Sequence, residues 1–361
     1  MYSNRLKLLI VGLAGCLTLA SLAGAAPAAS YRVYVTNERS GDLTVIEGGD
    51  FNVIATIPVG KRPRGIHVSP DGKSVYVAVS GTPIEGPPQL DAHGNPIFEK
   101  KKGEDDDDDA GADKSADGIV VLDVAAGKLT GKLNAGSDPE EFALSRDGRN
   151  IYISNEDVKT ASVIDIKSAK VAHIIPVSQE PEGVTTTPDG KQFYVTCEAG
   201  GDIFVIDTTS YQVTSHFKVN GRPRSVAFLS NGTIGFIPSE SAGEFNVVDA
   251  LKATVMKTIT LPTGSRPMHA MVAADDQRLY LSNGRAGTIS VIDTHSYQLL
   301  SSIKVGTRPW GIGISPDGKY LFAANGPSND VSVVDLGAGK EIMRVKAGSS
   351  PWGIAIVATA R

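Results

Sequence analysis

Seven times along the chain a proline is flanked by residues that could do chemistry: Arg62-Pro-Arg64, Asp138-Pro-Glu140, Glu180-Pro-Glu182, Arg222-Pro-Arg224, Arg266-Pro-Met268, Arg308-Pro-Trp310 and Ser350-Pro-Trp352. The set offers guanidinium forks for a carboxylate or phosphate, carboxylates for a cation or an amine, and indole rings for a flat or apolar group. Trp310 and Trp352 are the only 2 tryptophans and occupy equivalent places in adjacent slots. Two readings stay open. Arginines and carboxylates of neighbouring slots could pair with one another, each exposed pair stabilising by about 0 to 1 kcal/mol. They could instead stand free as a polarised funnel for a ligand or a partner.

The trail of catalytic motifs is thinner. A C-x-x-C-H haem attachment is absent, which argues against an electron-transfer cytochrome. No G-x-S-x-G elbow and no locally supported Cys/His pattern is present either. Metal ligation could draw on Glu140, Glu182, His67 and His269, but no two of these have ligand spacing, so neither a metal nor a cofactor is expected. The run Asp105 to Asp109 lacks the alternation and glycine of a calcium loop. An enzyme built on the slots would use Glu140 or Glu182 as general base and Arg64 or Arg224 on an oxyanion, and would need a raised carboxyl pKa. No catalytic residue is assigned.

What must position these residues follows from their spacing. The slot prolines, Pro63, Pro139, Pro181, Pro223, Pro267, Pro309 and Pro351, are separated by 76, 42, 42, 44, 42 and 42 residues. The long interval holds an acidic insertion, so seven units of about 42 residues are present. Each unit reads as four short strands; in the sixth they are "RPWGIGISPDG", "KYLFAANG", "NDVSVVDL" and "KEIMRVKAG". β-Branched and aromatic residues alternate with polar ones between Pro-Asp-Gly or Asn-Gly turns. Four antiparallel strands per unit make the blade of a β-propeller, so the fold is all-β with seven blades. The start of the chain supplies strands two to four of the last blade and "SSPWGIAIVA" its first, closing the ring and removing two sheet edges. "FLSNGTIGFIP" is a degenerate repeat. First strands line the central channel, and the fourth-to-first and second-to-third connections share one face. That face gathers all seven slots, the recurrent Glu38, Glu156, Glu198 and Glu240, and the insertion. The opposite face carries the uniform turns.

The ends and the charge complete the reading. Residues 1–29 have two positive charges, an apolar run and small residues around "GAAPAAS", the grammar of an export signal. Ordinary cleavage near Ala23 to Ala28 is expected, with a lipoprotein site at Cys16 as the alternative. The mature chain then keeps only Cys197, whose expected role is packing. No second long apolar span follows. The net charge is -5, with +2 in the leader and -7 in Gly81 to Asp117, leaving a neutral body that speaks against nucleic-acid binding. The propeller is expected to span 30–361 as a monomer, with a solvated, disordered loop at about 81–117.

The stretches "YVTN" at Tyr34 to Asn37, "YVTC" at Tyr194 to Cys197 and the recurrent "SVID" and "SPDG" resemble the YVTN-repeat propeller family. "RPRGIHVSPDGKSVYVAVS", "SDPEEFALSRDGRNIYISNED", "EPEG" and "NGPSNDVSVVD" are similar to its exported members associated with pyrroloquinoline-quinone-dependent alcohol catabolism. The insertion departs from that pattern. The resemblance implies a setting beside a periplasmic quinoprotein system and no particular reaction. A non-catalytic binding or scaffolding propeller for an envelope protein or a small charged ligand is therefore expected, with a lactonase-like or lyase-like propeller enzyme as the alternative.

Overall fold

The computed structural model describes residues 30–84 and 112–359. The leader with Cys16 and the run Asp105 to Asp109 lie outside the described residues. Seven four-stranded antiparallel sheets form a seven-bladed β-propeller, as the repeat spacing predicts. In blade six the strands are Pro309–Ile314, Tyr320–Asn325, Asp330–Asp335 and Lys340–Lys346, from channel to rim. Their apolar runs mark the two middle strands as covered on both faces, and the polar outer strand meets solvent. Among the described residues no helix is long and apolar enough to cross a membrane.

Each blade is too thin to hold a core of its own, so the core is divided among the blade interfaces. Leu43, Val45 and Ala355 of blade seven pack on Val75, Val77 and Leu122 of blade one. Tyr152 and Val163 of blade two pack on Phe193 and Val195 of blade three, where the Tyr152 and Phe193 rings stack 4.3 Å apart. The last blade closes the ring: Pro351–Ala358 pairs antiparallel with Tyr31–Asn37, from Tyr31 opposite Ala358 to Asn37 opposite Pro351.

Two local features aim the slots into the channel. In blades two, three, five, six and seven the register between first and second strands slips immediately after the slot proline, as between Pro139 and Phe142. Such a bulge turns the residue after the proline toward the axis. The residue before the proline has a left-handed backbone at Arg62, Asp138, Glu180, Arg266, Arg308 and Ser350, with φ between 44 and 57°. Each such non-glycine residue costs roughly 1 kcal/mol. Blade four differs, since Gly221 takes the positive φ there. Its first strand shrinks to Ala227–Phe228 plus a bridge from Pro223 to Ser239, beside a Pro238 that has no N–H to give. The degenerate repeat is thus a thinned ladder within an intact blade.

The two ends of the acidic insertion that are described are tied to blades one and two. Gly81 N–H donates to Asp117 Oδ1 (2.7 Å), and Asp113 N–H to Gly81 O (3.0 Å). Lys61 pairs with Asp113 at 2.7 Å and Lys114 with Asp157 at 2.9 Å.

Candidate binding site at the channel mouth

The residues after the slot prolines, Arg64, Glu140, Glu182, Arg224, Met268, Trp310 and Trp352, form a ring at the mouth. Neighbouring first strands must approach closely to make it. A Cβ on Gly65 would lie 2.7 Å from Glu140 O, and one on Gly183 only 2.4 Å from Arg224 O.

On the charged side of the ring, arginine and carboxylate do touch. Arg64 is 1% exposed and reaches Asp138 and Glu140 at 2.7 Å each and Glu156 at 3.5 Å. Arg62 sits 3.1 Å from Glu38 and 3.5 Å from Asp138. Across the acidic blades, Arg224 pairs with Glu240 at 2.6 Å, Glu182 at 3.0 Å and Glu198, which also holds Arg222. Glu180 stands on the rim, 3.8 Å from Arg222, and Arg266 lies 3.6 Å from Glu240. Most of the slots are therefore ion-paired, and the pairing is buried where a simple rim of surface bridges would be exposed.

The carboxyls divide by neighbourhood. Burial works against the charge of Glu240, but Arg224 and Arg222 outweigh it and hold the group at about 2. Asp138 is likewise held low, burial being outweighed by Arg64 and Arg62. Glu140 goes the other way: burial, helped by the nearby Glu182, prevails over Arg64 and pushes it up to about 7. Glu156 is also raised, by burial and by the neighbouring Glu140 carboxyl. Glu182 is raised by burial against the pull of Arg224.

The other side of the ring is aromatic. Trp310 and Trp352 stack with centroids 5.5 Å apart and planes 25° from parallel. The guanidiniums of Arg224 and Arg308 lie over the Trp310 ring at 5.2 and 5.1 Å. Arg308 has no carboxylate within ion-pair distance among the described residues.

Below the ring is a cavity of about 70 Å³ that reaches from Trp310, Arg224 and Glu182 down to His67, Glu141 and His269. Glu141 was absent from the sequence reading, and the histidines entered it only as metal ligands or strand residues. No metal cluster forms among the described residues. The available signal was a break in pattern: the second residue after the slot proline is glycine in four blades, and Glu141 and His269 stand at that position in blades two and five. Cys197 is buried between blades two and three, in keeping with packing.

Comparison with known proteins agrees with the architecture. Residues 111–234 match the family model described as YNCE-like beta-propeller, and residues 229–352 that of the cytochrome D1 heme domain. No curated protein sequence matches. Among solved structures, the Pseudomonas aeruginosa periplasmic gluconolactonase PpgL is similar at 18% identity, over 92% of this chain and 100% of that one, with a TM-score of 0.69. A putative 6-phosphogluconolactonase from Bacteroides uniformis gives 17%, 91%, 99% and 0.70 in the same order. Hydrazine synthase of Kuenenia stuttgartiensis gives 18%, 82%, 96% and 0.66. These likenesses carry the fold and no activity, and haem is named for the second family and not for this chain. Seven four-stranded blades and two propeller-family matches, one on each half of the ring, make this chain a β-propeller.

Proposed function

We propose that this protein is an exported binding propeller that holds a flat carboxylate at its channel mouth. The observation that carries the reading is Arg308. The other slot arginines each lie within 3.8 Å of a carboxylate, whereas Arg308 rests on Trp310 with none within 4.0 Å among the described residues, Glu240 and Glu38 acting on it from farther off. An unspent guanidinium beside two stacked indoles supplies one fork for an anion and one face for a ring. The role is binding and not turnover, because Arg64 and Arg224 occupy the carboxyls that would serve as bases. The leader grammar supports export, and the resemblance to the quinoprotein-associated propellers supports a place in the envelope beside such an oxidation system.

A test uses the 2 tryptophans as a built-in reporter, since both lie at the mouth. Saturable quenching of mature protein by benzoate or by pyrroloquinoline quinone, weakened at least tenfold in Arg308→Gln, is the expected result. Equal quenching in the variant overturns the reading. A second reading, a lactone hydrolase, is favoured by the Glu140 carboxyl at about 7 and by the likeness to the protein named gluconolactonase. It requires δ-gluconolactone turnover that Glu182→Gln or Glu140→Gln abolishes.

A further inference from the structure

The channel below the mouth holds side-chain acceptors that the protein itself leaves without a partner. His67 Nε2 lies 2.8 Å from Glu141 Oε1, which also accepts the Phe142 N–H at 2.9 Å, and the imidazole is steadied edge-on by the Phe142 ring at 4.8 Å. Glu141 Oε2 and the His269 ring have no hydrogen-bond partner among the described residues. Burial lowers the His269 pKa and favours the neutral ring, which offers one acceptor nitrogen and one N–H donor. The nearby hydroxyl protons are already engaged, Thr185 donating to Val226 O at 3.0 Å and Ser225 to Met268 O at 3.4 Å.

We infer that this floor is a second recognition element, selecting a ligand that carries hydroxyl donors on the edge away from its carboxylate. The inference rests on the mouth being an anion site. One cavity is lined by Trp310 and Arg224 of the mouth and by His67, Glu141 and His269 of the floor, and Arg308 lies against Trp310 outside that lining. Glu141 and His269 sit one residue below Glu140 and Met268, a step of roughly 3.4 Å along a strand, which one aromatic ring spans. A ligand without donors would take water from these acceptors and leave them unpaired; one with donors replaces it. Sites built this way discriminate more strongly than apolar pockets do.

Calorimetry with benzoate and 3,5-dihydroxybenzoate tests this on mature wild type, Glu141→Gln, His269→Gln and Arg308→Gln. The dihydroxy acid should bind about tenfold more tightly than benzoate to wild type, the gain should vanish in Glu141→Gln and in His269→Gln, and Arg308→Gln should weaken both acids alike. Two variants are used so that a folding defect in one leaves the other decisive. Equal affinity of the two acids for wild type, or a gain that survives both floor variants, overturns the inference. If neither acid binds, the mouth reading fails by itself. The floor is then decided by neutral resorcinol: shifts of the His67 and His269 imidazole proton resonances uphold it, and unmoved resonances overturn it.

Discussion

Arg64 joins two blades through its two Nη atoms, one 2.7 Å from Glu140 and the other 2.7 Å from Asp138, with the arginine 1% exposed. Removing it would strand two buried carboxyls, which costs about 3 to 5 kcal/mol in comparable clusters. Arg64→Ala should lower stability by that amount in urea unfolding, and Arg64→Lys should lose nearly as much, because a point charge cannot reach both acids at once. Arg64→Ala combined with Glu140→Gln should recover part of the loss. A loss below about 1 kcal/mol for Arg64→Ala would mean that the cluster opens to water.

The raised Glu140 gives stability a definite dependence on pH. Its carboxyl holds a proton up to about pH 7 when folded, against an ordinary value of 4.5. Between those values the folded chain binds more protons than the unfolded one, so stability falls as pH rises. Glu156 and Glu182 are raised as well and act in the same direction. Asp138 and Glu240 are held low, so their contribution is lost only as pH falls below the usual carboxyl range. The urea midpoint should therefore be higher at pH 5.5 than at pH 8, and Glu140→Gln should flatten that slope. A wild-type midpoint that rises toward pH 8 would contradict the charge assignment.

Much of this was legible because a propeller writes its geometry as a repeat. Slot prolines at nearly constant spacing counted the blades, and the split of blade seven between the two chain ends followed from the missing strands. Which arginine stays unpaired was harder to read. It depends on what the loops of its own and the preceding blade present: blades five and six carry Asn283-Gly284 and Asn325-Gly326 where four other blades carry an acid. The floor escaped notice because Glu141 and His269 act through a cavity that exists only when seven first strands converge. The acidic insertion read as one loose loop over about 81–117, yet at its described ends Asp113 and Asp117 accept bonds that pin them to blade one.

Gly183 measures how tightly the first strands must approach. A methyl there would sit 2.4 Å from Arg224 O and 3.0 Å from the Ser225 Cα, both backbone atoms that cannot swing aside. Gly183→Ala should cost roughly 1 to 3 kcal/mol. It should also perturb the Arg224 contacts that Trp310 reports, visible as a shift of the emission maximum in the folded protein. An unchanged melting temperature and spectrum would show that blades three and four separate easily.

Closure of the ring should be all-or-none. Pro351–Ala358 supplies the whole channel strand of blade seven and packs Ala355 and Val357 on blade one. Deleting residues 350–361 exposes the edge of Tyr31–Asn37 and opens the interfaces of that blade with both neighbours. Cooperative thermal unfolding should be lost. A truncated chain with a sharp transition near the full-length value would instead mean that six complete blades suffice.

Cys197 offers a clock for the interface of blades two and three. Its thiol is fully buried against Tyr152, Val163 and Phe193, and burial pushes its pKa up to about 12. Both effects suppress the thiolate, the reactive form. Mature protein should therefore leave a disulfide reagent such as Ellman's unreacted at pH 8 and yield one thiol on denaturation. In sub-denaturing urea the labelling rate should track the opening of this interface. Arg64→Ala acts at the interface of blades one and two, so it should raise that rate only to the extent that the ring opens as a unit. Equal acceleration of labelling and of global unfolding would make the seven blades one cooperative structure, and rapid labelling of the native wild type would place the thiol at a surface that the packing forbids.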